Sequence, residues 1–419
     1  MRTYKEALDI ILTYSRNFGT VTLPVSALLN GRVLAEDIFA DRDYPPFNRS
    51  TMDGFALRSA DLAAGITGFT IVEEIFAGSL SSKSLAAGEC YKIMTGAVVP
   101  DSADLVIKKE EATGSGQQVA FGATTATAAP GATTATAAPG ATAPPGTSKR
   151  PGFQNIARQG EDIRKGELYL QPGMRINSSV ASALAVVGKM DVKVFSLPRV
   201  ALFSSGDEIV TPDRLPERHQ IRNSNMPMLA SMLYDFGIVP QTTRLFPDIK
   251  QVIREGIEAA LDNDLIILSG AVSAGDADFI PGTLKELGFQ EIIYKVGLKP
   301  GKPIWFGMKP GGPVVFALPG NPLSTQVTFK LFIEPFLRRC FSMKQVVPLK
   351  VPILVKRIKR VPFDEFFPVT VQDEPYGLVP AVSHTSGDIR SATGSDGIAW
   401  HETGADELVP GDMIRYFPW

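Results

Sequence analysis

Several short stretches of the chain gather the side chains able to do chemistry. After a strand-like "RVALFSS" comes "SSGDE", with Asp207 and Glu208. "DIKQ" carries Asp248, and "SGAVSAGDAD" spans 269–278 and ends on Asp276 and Asp278. "YKVGLKPGKP" carries Lys295, Lys299 and Lys302, two of them on a loop stiffened by Pro300, Gly301 and Pro303. "LPGNPLS" sets Pro319, Gly320, Asn321, Pro322 and Ser324 at a strand-to-helix junction. "PPFNRSTMDGFAL" (45–57) adds Asp53, between small polar residues and a glycine.

Singly, each stretch fits a plain structural role. Asp276 and Asp278 suit helix capping, and Asp248 with Gln251 three residues on suits a capping box. Scattered lysines are usually solvated. Together they imply more. Several carboxylates at one sheet edge repel unless a cation sits among them, and Mg²⁺ takes carboxylates, water and phosphate oxygens. The small residues of 269–278, Ser269, Gly270, Ser273 and Gly275 among them, let backbone N–H groups approach an anion. The spacing is neither that of a P-loop nor that of a dinucleotide loop. Converging ammonium groups on a rigid loop suit an oxyanion, as does a helix opening at Asn321–Pro322 with the Ser324 hydroxyl. The combination points to a phosphate anhydride or another multi-anion substrate. No Ser–His or Cys–His set is visible, which disfavours acyl transfer.

The elements that must position these groups read as follows. Residues 3–17 form an amphipathic helix, with Thr3 and Glu6 as a capping box. From Phe55 to Glu110 the chain is strand-like and punctuated by glycine, a small β domain. "GATTATAAP" then occurs twice in succession, at 122–130 and 131–139, a low-complexity insertion with almost nothing to bury. Residues 174–190 read as a helix. From there strands and helices alternate over about 140 residues, which predicts a parallel α/β sheet with ligands at the carboxyl ends of its strands. "EIIYKVG" reads as one of these strands, and a β-rich region follows Lys344.

Composition narrows the class. The 419 residues exceed one ordinary core, so two to four domains are expected. A net charge of −2 gives no basic field for nucleic acid. Cys90 and Cys340 are the only cysteines, which favours a reducing cytoplasm over a disulfide framework. With His219, His384 and His401 they do not make a usual zinc site. No window reaches the ~20 apolar residues of a membrane span, and the N-terminus does not read as a signal peptide.

The ordered blocks "STMDGFAL", "IMTGAVVP", "QNIARQGEDI", "SSGDEI", "SGAVSAGDADF", "KVGLKPGKP" and "LPGNPLS" resemble the molybdopterin molybdenumtransferase family, and the chain is similar to the E domain of gephyrin. The resemblance implies an elongated α/β multidomain protein. Its parts are an α/β molybdopterin-binding subdomain (1–20 and 173–335), a linking subdomain (21–46 and 153–172), a β subdomain (47–152) with the insertion at 113–150, and a C-terminal β subdomain (336–419). It implies insertion of molybdate into adenylylated molybdopterin, with Mg²⁺ assistance and release of AMP. It implies a cytoplasmic homodimer whose active site lies in the dimer cleft, a molybdopterin adenylyltransferase upstream, and molybdoenzymes or their chaperones downstream, with no nucleic acid or membrane partner. Carried over residue by residue, Asp53 and Thr95 reach the cleft from the partner subunit. Glu208, Asp248 and Asp278 are the acidic and metal-binding residues. Lys295, Lys299 and Lys302, with Ser324, neutralise molybdate and phosphates, and Pro319 and Pro322 shape the pocket. Ser386 and Ser391 match a serine-rich loop of the C-terminal part.

Three positions depart from the family pattern. Ala271 replaces a usual glycine, Asp276 a usual glutamate, and "FDEFFPV" lacks an arginine that often follows its acidic–aromatic pair. Two alternatives stand beside the transferase: a non-catalytic scaffold dimer, and a paralogue handling tungstate.

Overall fold

A two-residue strand, β1 (Arg2–Thr3), leads straight into helix α1 (Tyr4–Thr13). Thr3 Oγ1 accepts from the Glu6 N–H at 3.3 Å, and the Glu6 carboxylate accepts from the Thr3 N–H at 2.9 Å. This is the reciprocal cap that "TYKE" encodes. The helix buries Tyr4, Ala7 and Ile11, one face at helical spacing. It ends at Thr13, short of the expected Asn17.

The computed structural model describes residues 1–26, 29–121, 153–270, 279–382 and 389–419. They fall into two units, Asp37–Leu170 and Met1–Glu36 with Gln171–Trp419. The first unit is built on a six-stranded sheet: β2 (Gly54–Leu57), β3 (Gly68–Ile75), β4 (Glu89–Ile93), β5 (Leu105–Lys108), β6 (Ala112–Ser115) and β7 (Gln118–Phe121). Their order is β5-β2-β4-β3-β7-β6. Strand periodicity sorts the side chains to two cores: Phe55 and Leu57 join Phe69 and Phe121, while Ala56 joins Ile75 and Tyr91. The β6–β7 hairpin corrects the expected start of the insertion at 113. Buried Val119 and Phe121 anchor that stretch in the sheet, and Gly116 turns it with φ +65°. The repeat itself lies outside the described residues.

In the second unit, α2 (Ser178–Val186) occupies the middle of the expected 174–190 helix, with Asn177 Oδ1 accepting from the Val180 N–H. The α/β alternation follows: β8 (Val200–Ser205), α3 (Asn225–Tyr234), β9 (Thr242–Phe246), α4 (Lys250–Glu258), β10 (Leu265–Ser269), α5 (Phe279–Glu286) and β11 (Gln290–Tyr294). After β12 (Val296–Lys299) come β13 (Trp305–Met308), β14 (Val314–Leu318) and α6 (Pro322–Thr328). The sheet order is β9-β8-β10-β14-β13-β11. The first four strands are parallel, and β13 and β11 add antiparallel pairs at one side. Strands β8, β10 and β14 are buried along their whole length, as a sheet covered on both faces requires. Leu265 and Ile267 pack into one core, Ile266 and Leu268 into the other.

The expected single strand over "EIIYKVG" is two. Lys295 adopts φ +62° and breaks it. Strand β11 stays in the α/β sheet, whereas β12 enters a second, seven-stranded sheet. That sheet adds β15 (Leu349–Pro352), β16 (Asp364–Asp373), β17 (Tyr376–Pro380), β18 (Gly397–His401) and β19 (Met413–Pro418). It runs β1-β12-β16-β18-β19-β15, with β17 on β16. Tyr4 joins the helical segment Phe329–Ile333 to the second sheet. Its ring stands edge-on to Phe332, Phe366 and Trp400 at 5.6, 5.2 and 5.3 Å. Among the described residues no helix is long and apolar enough to cross a membrane.

Candidate active site

A cleft of about 1190 Å³ opens where β8, β9, β10 and β14 end, the place an open α/β sheet offers a ligand. Glu208, Asp248, Gly270, Lys299, Lys302 and Ser324 line it, as do Pro319, Gly320 and Pro322. Two glycines are required by geometry. Gly270 has φ +99°, and a Cβ there would strike the Ser205 carbonyl. Gly301 has φ +107°, and a Cβ would collide with the Thr328 methyl on α6. The lysine loop is thereby packed directly against the helix that bounds the cleft.

The acidic wall comes from neighbouring strand ends. The Gly206 N–H bonds the Phe246 carbonyl at 3.2 Å, and Asp207 Oδ1 accepts from the Asp248 N–H at 2.9 Å. These bonds clip the loops after β8 and β9 together, so that Glu208 and Asp248 both face the cleft. Helix α4 begins at Lys250 with Ile249 as its N-cap residue. The expected Asp248–Gln251 capping box is therefore not formed. Gln251 instead donates to Glu255 Oε1, one turn on, at 2.8 Å.

The basic wall is held by the second sheet. Lys299 Nζ lies 3.3 Å from Glu365 Oε1, and Arg357 Nη1 donates to Glu365 Oε2 at 2.8 Å. Burial raises the Glu365 carboxyl, but the hydrogen bond and charge of Arg357, then Lys299, outweigh it and leave it below the ordinary glutamate range. Lys302 Nζ sits 5.9 Å from the centre of the Phe363 ring. Lys295 is not among the lining residues. Its ammonium stands 4.6 Å over the Tyr294 ring.

Buried polar groups form the floor. Asn225 Nδ2 donates to the Gly320 carbonyl at 2.6 Å and to Ser269 Oγ at 2.7 Å. A carbonyl only accepts, so the atom beside it is nitrogen and the amide orientation is fixed. Asn225 Oδ1 and Ser205 Oγ are buried and have no hydrogen-bond partner among the described residues, although both residues line the cleft. Left without a water or ligand, such a group costs about 1–3 kcal/mol. Sequence reasoning missed Asn225. The signal was a second asparagine just inside the helix, after Asn223, whose Oδ1 accepts from the Met226 N–H at 3.2 Å. It also missed Glu365 and Arg357.

The other expected residues are placed as follows. In the 37–170 unit, the Thr95 N–H and Oγ1 both donate to Asp53 Oδ1, at 2.8 and 2.9 Å, and Lys109 Nζ lies 3.9 Å from Oδ2. The Thr95 bonds, and then the Lys109 charge, hold the Asp53 carboxyl below the usual aspartate range. Ser269 is buried behind the cleft surface, and Ser391 is buried on a short helix, Ile389–Thr393, without lining the cleft. Ser273, Gly275, Asp278 and Ser386, with Ala271 and Asp276, lie outside the described residues. Among the described residues no three His, Cys, Asp or Glu side chains cluster as a metal site.

The sheet order and the strand-end cleft define an open α/β ligand-binding domain. Residues 201–339 match the family described as "Probable molybdopterin binding domain", and residues 2–188 match "MoeA N-terminal region (domain I and II)". A molybdopterin molybdenumtransferase of Staphylococcus epidermidis is 33% identical over 353 residues, 82% of this chain and 77% of that protein. One from Synechocystis sp. is 30% identical over 418 residues, 99% of this chain and 98% of that protein. The crystal structure of a molybdopterin biosynthesis MoeA protein from Pyrococcus horikosii superposes with a TM-score of 0.73 at 26% identity, covering 99% of this chain and 98% of that one. The chain belongs to the molybdopterin molybdenumtransferase family.

Proposed function

We propose that this chain inserts molybdate into adenylylated molybdopterin with Mg²⁺-dependent release of AMP. The observation that carries the reading is one cleft in which Glu208 and Asp248 face the same space as Lys299 and Lys302. Two carboxylates with room for phosphate oxygens fit Mg²⁺, which usually keeps one or two protein carboxylates and several waters. Glu208 and Asp248 would hold it, with Asp278 joining them by family resemblance. When bound, Mg²⁺ supplies charge neutralisation at the phosphate anhydride.

The chain's own residues do the rest. Lys299 and Lys302 bind and orient the oxyanion and the substrate phosphates, and stabilise the charge that develops as the anhydride breaks. The backbone N–H groups where α6 opens, and Ser324, add neutral donors. The Asn225 carbonyl oxygen is a fixed acceptor at the floor. No covalent nucleophile is required. We further propose a cytoplasmic homodimer in which Asp53 and Thr95 act on the partner's cleft, fed by a molybdopterin adenylyltransferase and delivering to molybdoenzymes or their chaperones. Family membership supports this, and so does the pre-ordering of Asp53 by Thr95.

The test is incubation with adenylylated molybdopterin and molybdate, or tungstate in a parallel reaction, following AMP and protein-bound metal. Oxyanion-dependent AMP release is expected. AMP release indifferent to both oxyanions, or none at all, contradicts the assignment, and a preference for tungstate corrects the substrate.

A further inference from the structure

The seven-stranded sheet does more than adjoin the cleft. Strand β12 pairs in parallel with β16 so that Lys299 stands opposite Glu365, and β16 pairs with β18 so that Glu365 stands opposite His401. Three adjacent strands therefore set a lysine, a glutamate and a histidine in one cross-strand row. Arg357 closes the row from outside. Its Nη1 donates to Glu365 Oε2 at 2.8 Å and lies 3.1 Å from His401 Nδ1. An arginine N–H only donates, so His401 Nδ1 accepts. The guanidinium also stacks on Phe367, 3.8 Å from the ring centre.

Exposure separates the roles. The Lys299 side chain is 53% exposed and lines the cleft, while that of Glu365 is 9% exposed. Both Glu365 oxygens are engaged, one by Lys299 and one by Arg357, so Glu365 has little left to offer a substrate. An ammonium has three donors. The ion pair with Glu365 engages at most one of them, which leaves two for an anion in the cleft.

We propose that Glu365, anchored by Arg357, is a positioning residue that fixes the Lys299 ammonium in the cleft. Resting on the function proposed above, this assigns the C-terminal sheet a part in the reaction: it pre-orients the cation that meets the substrate oxyanion. Without the anchor, a flexible four-carbon side chain must be ordered by each incoming anion.

Two measurements decide it. The first is a double-mutant cycle on kcat/KM for AMP release. Glu365→Gln lowers kcat/KM about ten- to hundredfold in the native background, but less than about twofold when Lys299 is already alanine. A merely structural residue gives the same loss in both backgrounds, and that result overturns the proposal. The second does not depend on activity. Lysines are ¹³C-methylated reductively, and the Lys299 signal is identified by its absence from Lys299→Arg. Glu365→Gln moves that signal to the position of solvated lysines, and an unmoved signal overturns the proposal. If the native protein releases no AMP, the proposed function fails while the Lys299 signal still decides this point. If Glu365→Gln does not fold, Glu365→Asp keeps a charge beside Arg357, withdraws it from Lys299, and is read in the same two ways.

Discussion

Two carboxylates, one in each unit of the chain, are held in opposite ways. Asp53 is half-exposed, and neutral donors from Thr95 occupy one of its oxygens, with Lys109 only 3.9 Å from the other. Glu365 is buried and spends both oxygens on cations. The first is pre-ordered yet still has an oxygen to offer. The second is saturated and acts only through what it holds. Charge alone does not mark a functional carboxylate; what matters is which oxygens remain uncommitted after the protein's own bonds are made.

The largest effect that sharpens this contrast is on the acidic set that the family resemblance assigns. Asp278→Ala cuts oxyanion-dependent AMP release at least about a hundredfold while the melting temperature and the sedimentation of the protein stay unchanged. Full residual turnover removes Asp278 from the site. Asp53→Asn comes next. It keeps the bonds from Thr95 and removes only the charge, so turnover falls about tenfold or more with a melting shift within about 2 °C. A large melting loss with intact turnover per folded molecule would make Asp53 a turn residue and nothing more.

A smaller effect probes the saturated side. Burial first, then the charges of Arg357 and Lys359, lowers the His401 pKa below the ordinary imidazole value. The unfolded chain therefore takes up this proton first as pH falls. Stability from His401 is complete above about pH 6.5, and it is lost as pH drops from there toward the folded value. Between pH 7 and 5.5 the native protein should lose about 1–2 °C more in melting temperature than His401→Asn does. Identical slopes would show that the histidine is not held neutral by its row. The smallest effect concerns the repeat. Deleting 122–145 should leave AMP release within about twofold, since an Ala/Thr/Pro tract has nothing to bury; loss of folding on deletion reverses that reading.

Much of the scaffold was legible because its signals are local. Alternating strands and helices from Val200 on encode the α/β sheet, and "TYKE" encodes a real capping box. The same motif at "DIKQ" misled, because the chain there spends Asp248 on the cleft wall and starts its helix two residues later. The break at Lys295 was hidden, since a lysine at φ +62° has no sequence signal. Glu365 and Arg357 were hidden for a different reason. Their contacts with Lys299 and His401 come from strand pairing between segments far apart in sequence, which no local spacing reveals. Asn225 was legible in principle, as an amide inside a helix start, but its value depends on an orphaned oxygen that only the packing exposes.

The contrast between an available and a saturated carboxylate is tested most directly by mixing subunits. Asp53→Asn and Asp278→Ala proteins, each with at most about a tenth of native activity alone, are dissociated, mixed and reassembled, and AMP release is measured. If Asp53 serves the partner's cleft, one site in each heterodimer is intact and about a quarter of native activity returns. If the mixture stays as inactive as its components although heterodimers have formed, Asp53 does not act across a shared site, and the account of this family member's cleft is wrong at that point.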